Sequence, residues 1–284
     1  MKKILVPCDF SSTSVNAFRF ALDVAAQSKG TVHLLHVIEL PVLHDSIIMP
    51  VLSFEQQMLD ELREKAEKGF NKILNKYNKA DAVDIAMKVE FGVPSKVIQN
   101  YAEEHAMDSI IMGSHGASGV KEFFIGSTAE KIVRHANIPV LVMKDYYKGP
   151  VKNIVFPHTL DIEDEEDLAT KVKALQNFFK AKLHIVWINT PLNFTTDSTS
   201  IERLTNFAKR YNLKDYTINI YNHIELEEGI LEFSNSVKAN MIAMGTHGRT
   251  GLDRLISGSL TESVVNHSRK LVWSYVMKEE PVEA

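Results

Sequence analysis

Apolar residues along the chain fall into short unbroken runs, separated by stretches with helical spacing. Ile4-Leu5-Val6 is the first run, closed by Pro7-Cys8-Asp9-Phe10 as a turn. Ser11, Ser12, Thr13 and Ser14 are helix-start residues. Ala17, Phe18, Ala21, Leu22 and Ala25 then follow a helical period, and Gly30 is expected to stop that helix. Thr31 to Ile38 predicts a second strand. After a loop with Pro41 and Pro50, the stretch from about Phe54 to Tyr77 is rich in Glu, Lys, Leu and Ala and predicts a long amphipathic helix. A third strand follows over Asp84 to Glu90, a helix from Gly92-Val93-Pro94 to near His105, and a fourth strand over Ser109 to Met112. Ser127 to Ala136 predicts a helix and Ile138 to Met143 a fifth strand. Strands alternating with helices imply a parallel sheet covered on both faces. Continuous apolar strands fit that burial, and right-handed crossovers give an open, doubly wound α/β layer.

The pattern then restarts. After Asp145-Tyr146-Tyr147-Lys148-Gly149-Pro150, the opening Lys2-Lys3-Ile4-Leu5-Val6-Pro7 returns as Lys152-Asn153-Ile154-Val155-Phe156-Pro157. Val32-His33-Leu34-Leu35-His36-Val37 returns as Leu183-His184-Ile185-Val186-Trp187-Ile188. Met112 to Lys131 aligns without a gap to Met244 to Ser263, with Met, four Gly, His, Ser and Glu recurring in register. The chain is therefore a tandem duplication, with expected domains 1–147 and 148–284. The second copy is cut short around Thr190 to Thr217.

Composition narrows the class. A chain of 284 residues, 45% hydrophobic and 24% charged, can bury a full core in each half. A formal net charge of -4 offers no basic field for nucleic acid. Cys8 has no second cysteine to pair with, which fits a reducing compartment. The apolar run at the N-terminus is too short for a signal peptide or a membrane span. The expectation is a cytoplasmic protein that engages neither membrane nor nucleic acid.

Chemistry concentrates in the repeated stretch. Gly113 and Gly116 follow the fourth strand, and Gly126-Ser127-Thr128 opens a helix. Glycine lets backbone approach a ligand closely. A helix start offers unpaired N–H groups and the positive end of a dipole, which suits phosphate. Ser127 with Glu130, and Ser259 with Glu262, also read as capping boxes, which would stabilise the helix with or without a ligand. No Gly-Lys-Ser/Thr phosphate loop is present. His115 and His247 recur at one place and read as loop-positioning residues. His33 and His36 fall on opposite faces of a strand, so with His44 they make a poor zinc set. Cys8 adjoins no base and reads as a small turn residue rather than a nucleophile.

Gly-x2-Gly-x9-Gly-Ser, present twice, follows the fourth strand of a unit that begins Ile4-Leu5-Val6-Pro7-x-Asp9-Phe10-Ser11 and ends Asn137-Ile138-Pro139-Val140-Leu141-Val142. This resembles the universal stress protein family in a tandem two-domain form, over nearly the whole chain. The resemblance implies a Rossmann-like fold, similar to the adenine nucleotide alpha hydrolases, with strand order 3-2-1-4-5 in each five-stranded domain. In such sheets ligands bind where the winding reverses, between strands 1 and 4. The glycine motif marks family members that bind ATP. On that basis Gly126, Ser127 and Thr128 would cradle phosphates, and Gly113 and Gly116 would let the backbone pass the ribose and phosphates. Asp9 would hold the nucleoside end, since a carboxylate accepts from ribose hydroxyls or an adenine amine. Pro7 would shape the adenine wall, Val37 would meet the base edge through its backbone, and Met112 would line the floor beside His115. A Mg2+ or Mn2+ ion would be held by the phosphates and the Ser127 hydroxyl.

The second copy keeps Gly245, Gly248, Gly258 and Ser259 but places Thr159 where the first has Asp9. Its helix-start serines give way to Asp161, Glu163, Asp164, Glu165, Glu166 and Asp167, and Ser95-Lys96 becomes Glu227-Glu228. Acids suit a helix start, and they would repel a triphosphate. The second domain is therefore expected to bind nucleotide weakly or not at all. Family members pair through the fifth strand, so Val140-Leu141-Val142 and Leu271 to Val276 could join the halves as an internal pseudo-dimer, and two chains could form a homodimer. The leading expectation is an ATP-binding stress sensor or regulator. The alternatives are an interaction protein whose glycines serve only the fold, and a nucleotide-dependent enzyme such as an adenylating ligase. For the enzyme no activating residues or general base stand out, beyond slow ATP hydrolysis.

Overall fold

Ile4, Leu5 and Val6 are completely buried within the first strand, β1 (Lys3–Pro7). A strand apolar on both sides must be covered on both faces, and helices supply that cover. The first, α1 (Ser12–Ser28), starts at Ser11, whose side chain accepts from the Ser14 N–H. Its end differs from expectation. Lys29, not Gly30, adopts the left-handed cap conformation, with φ of 51°. Gly30 answers to a different demand: a Cβ there would stand 2.3 Å from the Lys2 carbonyl oxygen, where the chain re-enters the sheet beside β1.

The first half continues with β2 (Thr31–Ile38), α2 (Leu52–Lys76), β3 (Asp84–Phe91), α3 (Pro94–Glu104), β4 (Ser109–Gly113), α4 (Ser127–His135) and β5 (Val140–Met143). The second comprises β6 (Asn153–Pro157), α5 (Glu166–Phe179), β7 (Lys182–Asn189), α6 (Asp197–Arg210), β8 (Tyr216–Asn222), α7 (Leu226–Ser236), β9 (Met241–His247), α8 (Arg254–His267) and β10 (Leu271–Met277). This computed structural model describes residues 1–39, 52–77, 83–116, 125–160, 166–247 and 254–277. Pro41, His44, Pro50, Gly248 and the acids 161–165 lie outside them. The 25 residues of α2 against 14 in α6 account for part of the shortening of the second copy.

The strand order is β3-β2-β1-β4-β5-β10-β9-β6-β7-β8. Each half therefore has the order 3-2-1-4-5, with every pairing inside a half parallel. β1 lies between β2 and β4, so the winding reverses at the β1–β4 seam. The halves meet through one antiparallel pairing of β5 with β10, Val142 opposite Val272, Leu141 opposite Trp273 and Val140 opposite Ser274. The turn after the first strand recurs: Phe10 and Leu160, equivalent in the repeat, have φ of 66° and 65°.

Side chains alternate across the sheet into two cores. One gathers Ile4, Val6 and Leu34 with Phe18 of α1, Phe70 of α2 and Phe207 of α6. The other gathers Leu5, Leu35 and Met112 with Ile98 of α3, Ala129 of α4 and Val264 of α8. Among the described residues no helix is long and apolar enough to cross a membrane.

Candidate functional site

The β1–β4 seam carries the predicted residues to one edge of the sheet. Pro7 closes β1, and the chain turns through Cys8, whose N–H donates to the Leu35 carbonyl at 2.8 Å. Asp9 follows in the turn. Its Oδ1 accepts from the Ser11 hydroxyl at 2.6 Å and from the Ser11 N–H at 3.1 Å. Ser11 is itself the cap of α1, so the carboxylate is oriented by the helix it precedes.

From the other side of the seam, β4 ends at Gly113. A Cβ on Gly113 would stand 2.8 Å from the Thr13 carbonyl carbon and 2.9 Å from the Ser14 nitrogen. Gly113 is thus a contact between β4 and the start of α1. Thr13 reinforces it by donating its hydroxyl to the His115 carbonyl at 2.5 Å. Beyond it, a Cβ on Gly116 would lie 2.7 Å from Asp9 Oδ2. Two residues about a hundred positions apart in sequence therefore face each other.

The loop returns at Ile125. The Gly126 N–H donates to the Ser114 carbonyl at 2.7 Å, and Gly126 sits within ordinary contact distance of Gly116. Here one expectation is corrected. Ser127 does not form a capping box with Glu130: Gly126 is the N-cap, in extended conformation, and among the described residues no side chain caps the helix. The Gly126–Ser114 bond holds the cap one residue earlier, so Ser127 is already helical. The start of α4 thus presents backbone N–H groups without a side-chain acceptor, the geometry that receives an anion. Ser127 is exposed and Thr128 half-buried.

Structure brings Asp9, Gly113, His115, Gly116 and Gly126 into one cluster. Met112 is buried beneath it in the α3/α4-side core, and Val37 packs against the same core. Pro7 pairs with Leu35, so Val37 overhangs the end of β1 by two residues. The His115 Nδ1 meets the Ser114 hydroxyl at 2.7 Å, while its buried Nε2 has no hydrogen-bond partner among the described residues. Burial, and next the charge of Lys144, hold the His115 pKa below its ordinary value. His33 and His36 do face opposite ways. His33 meets the Tyr101 hydroxyl at 2.9 Å, whereas His36 donates from Nδ1 to the Cys8 carbonyl at 2.7 Å and packs on Phe10. No cluster of His, Cys, Asp or Glu among the described residues could hold a metal ion.

Sequence reading missed Ser11, Thr13 and Lys144 as parts of this edge. The alcohols were legible only as helix-start residues. Lys144 follows β5 and reaches the cluster only because β5 lies beside β4.

Comparison with known proteins identifies the family. The sequence profile of the universal stress protein family fits residues 1–144 and again residues 151–274. This chain belongs to that family. Among relatives, Universal stress protein MJ0577 of Methanocaldococcus jannaschii is 33% identical over 158 residues, spanning 50% of this chain and 94% of the relative. Universal stress protein YxiE of Bacillus subtilis is 30% identical over 145 residues, 50% of this chain and 98% of the relative. Each relative thus has the length of one half. A universal stress protein from Archaeoglobus fulgidus shares the fold end to end, with a TM-score of 0.75 at 23% identity, covering 97% of this chain and 98% of that one.

The second half of this universal stress protein is built differently at its own seam. Thr159 stands at the position of Asp9. A Cβ on Gly245 would lie 2.4 Å from Leu168 Cδ2, so a leucine side chain of α5 covers the counterpart of Gly113. Asp167 is drawn away to accept from the Tyr275 hydroxyl. Glu227 accepts from the Ser263 hydroxyl and pairs with His267. The expectation that Gly258-Ser259 opens a helix is also corrected. α8 begins at Arg254, which places both residues in its second turn, where backbone N–H groups are used within the helix.

A cleft of about 790 Å³ opens elsewhere, between α1, β2 and α2, lined by Phe10, His36, Ile38, Lys65, Lys72 and Tyr77 among others. None of the predicted binding residues lines it. It lies on the face of β2 opposite to Val37.

Proposed function

We propose that this universal stress protein binds an adenine nucleotide, ATP foremost, at the β1–β4 seam of its N-terminal domain and serves in the cytoplasm as a stress-response sensor or regulator. One observation carries the reading: the Asp9 carboxylate stands over Gly116, which in turn borders the start of α4, where the N-cap Gly126 has no side chain to occupy the first amides. A carboxylate suits the hydroxyl-bearing or amine-bearing end of a nucleotide and an open helix start suits its phosphates. Pro7, Val37 and Met112 would bound the base, and Gly113, His115 and Gly116 would line the passage between. Gly126, Ser127 and Thr128 would meet the phosphates, and a Mg2+ or Mn2+ ion would bind to those phosphates and the Ser127 hydroxyl. The Asp9 and Gly126 surroundings are compatible with such a ligand, since Gly126 leaves room at the helix start that a side chain would enter.

In this reading the domains are 1–147 and 148–284, and the second is a partner within an internal pseudo-dimer rather than a second binding site. The β5–β10 pairing and the covered Gly245 support it. A competing reading, an interaction protein with structural glycines, draws support from the tight Gly113–Thr13 contact. Titration calorimetry with ATP separates the two. One site per chain, lost on Asp9→Ala, supports nucleotide binding. No heat with ATP, and no nucleotide released from the purified protein on denaturation, supports the competing reading.

A further inference from the structure

The approach to α4 is held from outside its own domain. The Ile125 N–H donates to the side-chain oxygen of Asn266, the penultimate residue of α8. The main-chain carbonyl of Asn266 accepts from Lys144 Nζ. Two consecutive amides before the helix are therefore pinned, Ile125 by the C-terminal half and Gly126 by Ser114, just after β4. Together they set the direction in which the uncapped N–H groups of α4 point. The carbonyl end of α8, negative by its dipole, meanwhile draws the Lys144 ammonium to the same edge.

The reverse contact is of another kind. In the register that aligns Gly126 with Gly258, Arg134 is the counterpart of Asn266. Arg134 donates from Nε to Glu262 at 2.6 Å and pairs with Glu130 at 3.3 Å. The halves thus exchange a salt bridge in one direction and loop support in the other.

We infer that the C-terminal half completes the phosphate end of the N-terminal site, with Asn266 as a positioning residue that fixes Ile125-Gly126 and sets Lys144 beside the crevice. The inference rests on the nucleotide reading above and assigns the second domain a role there. Having Thr159 in place of Asp9 and Leu168 over Gly245, it shapes the site of its neighbour.

The test uses the full chain with Asn266→Ala, Asn266→Asp and Arg134→Ala, reading ATP and adenosine affinity by calorimetry and amide exchange of Ile125 by mass spectrometry. Loss of one hydrogen bond at the phosphate end is worth about tenfold in affinity. Asn266→Ala is expected to weaken ATP by about tenfold, leave adenosine unchanged, and speed exchange at Ile125. Asn266→Asp keeps the acceptor and should keep the slow exchange. Arg134→Ala removes the Glu262 salt bridge while leaving Asn266 in place, and should leave ATP affinity unaltered. Unchanged ATP affinity in Asn266→Ala overturns the inference, as does an equal loss in Arg134→Ala or an equal loss for adenosine. If the parent protein binds neither ligand, the nucleotide reading fails, and Ile125 exchange alone then decides the positioning: no acceleration in Asn266→Ala refutes it.

Discussion

Asp9 and Gly116 face each other across the β1–β4 seam, with Asp9 Oδ2 2.7 Å from the place a Cβ on Gly116 would take. The carboxylate is the movable tip of a short side chain, while Oδ1 is already committed to Ser11. Adding a methyl group at residue 116 would therefore turn the carboxylate aside rather than break the fold.

Gly116→Ala is accordingly expected to cost little stability and much affinity. A hydrogen bond to a charged group contributes about 1.5–3 kcal/mol, so ATP binding should weaken by roughly 10- to 150-fold. Urea denaturation should show a midpoint close to the parent. A protein that keeps full affinity would remove Asp9 from the site.

Gly113→Ala should behave in the opposite way. The methyl group would meet main-chain atoms of Thr13 and Ser14, which cannot rotate aside. Overpacking of this kind costs about 1–3 kcal/mol. At the equivalent Gly245 the obstacle is a leucine methyl group, so Gly245→Ala should be the milder change in a paired denaturation experiment. Equal losses at the two positions would contradict the difference in packing.

Acidification should weaken the fold through histidines held neutral. His33, His115 and His184 all have pKa values lowered from 6.5, each chiefly by burial. Below pH 6.5 the unfolded chain takes up these protons while the folded chain resists, so stability is full above that pH and declines as pH falls beneath it. Denaturation midpoints at pH 7.5 and 5.5 should differ, and His115→Gln should narrow the difference. An unchanged difference would show that His115 does not contribute.

Cys8 should be inert in the native protein. Burial pushes its thiol pKa up to about 11, and the Ser14 hydroxyl lies 3.7 Å from its sulfur. The thiolate is the reactive form, so a thiol-specific reagent at pH 8 should label it slowly until the chain is unfolded. Rapid native labelling would mean that the turn after β1 opens readily.

The sequence pattern made the alternating strands and the repeat legible, because buried parallel strands and a gapless run from Met112 to Lys131 leave direct marks, whereas the β1–β4 seam followed from the resemblance to the family. Three features were not legible. Gly30 looked like a helix stop, but its demand comes from Lys2, whose proximity is a tertiary fact. Ser127 looked like a cap, but a long-range bond from Gly126 to Ser114 moves the cap back by one residue. Asn266 carried no motif at all. Its contact with Ile125 exists only because β5 and β10 pair, which brings residues 141 positions apart together.

That antiparallel seam has a consequence for how the protein responds to its surroundings. Joining β5 to β10 within one chain makes the meeting of the halves a first-order event, set by tether length and not by the amount of protein. A relative with a single such unit would have to find a second copy, and the encounter would rise and fall with expression. Here the strand edges left at the ends of the described sheet are β3 and β8. The contact of Asn266 with Ile125 is therefore present at every dilution.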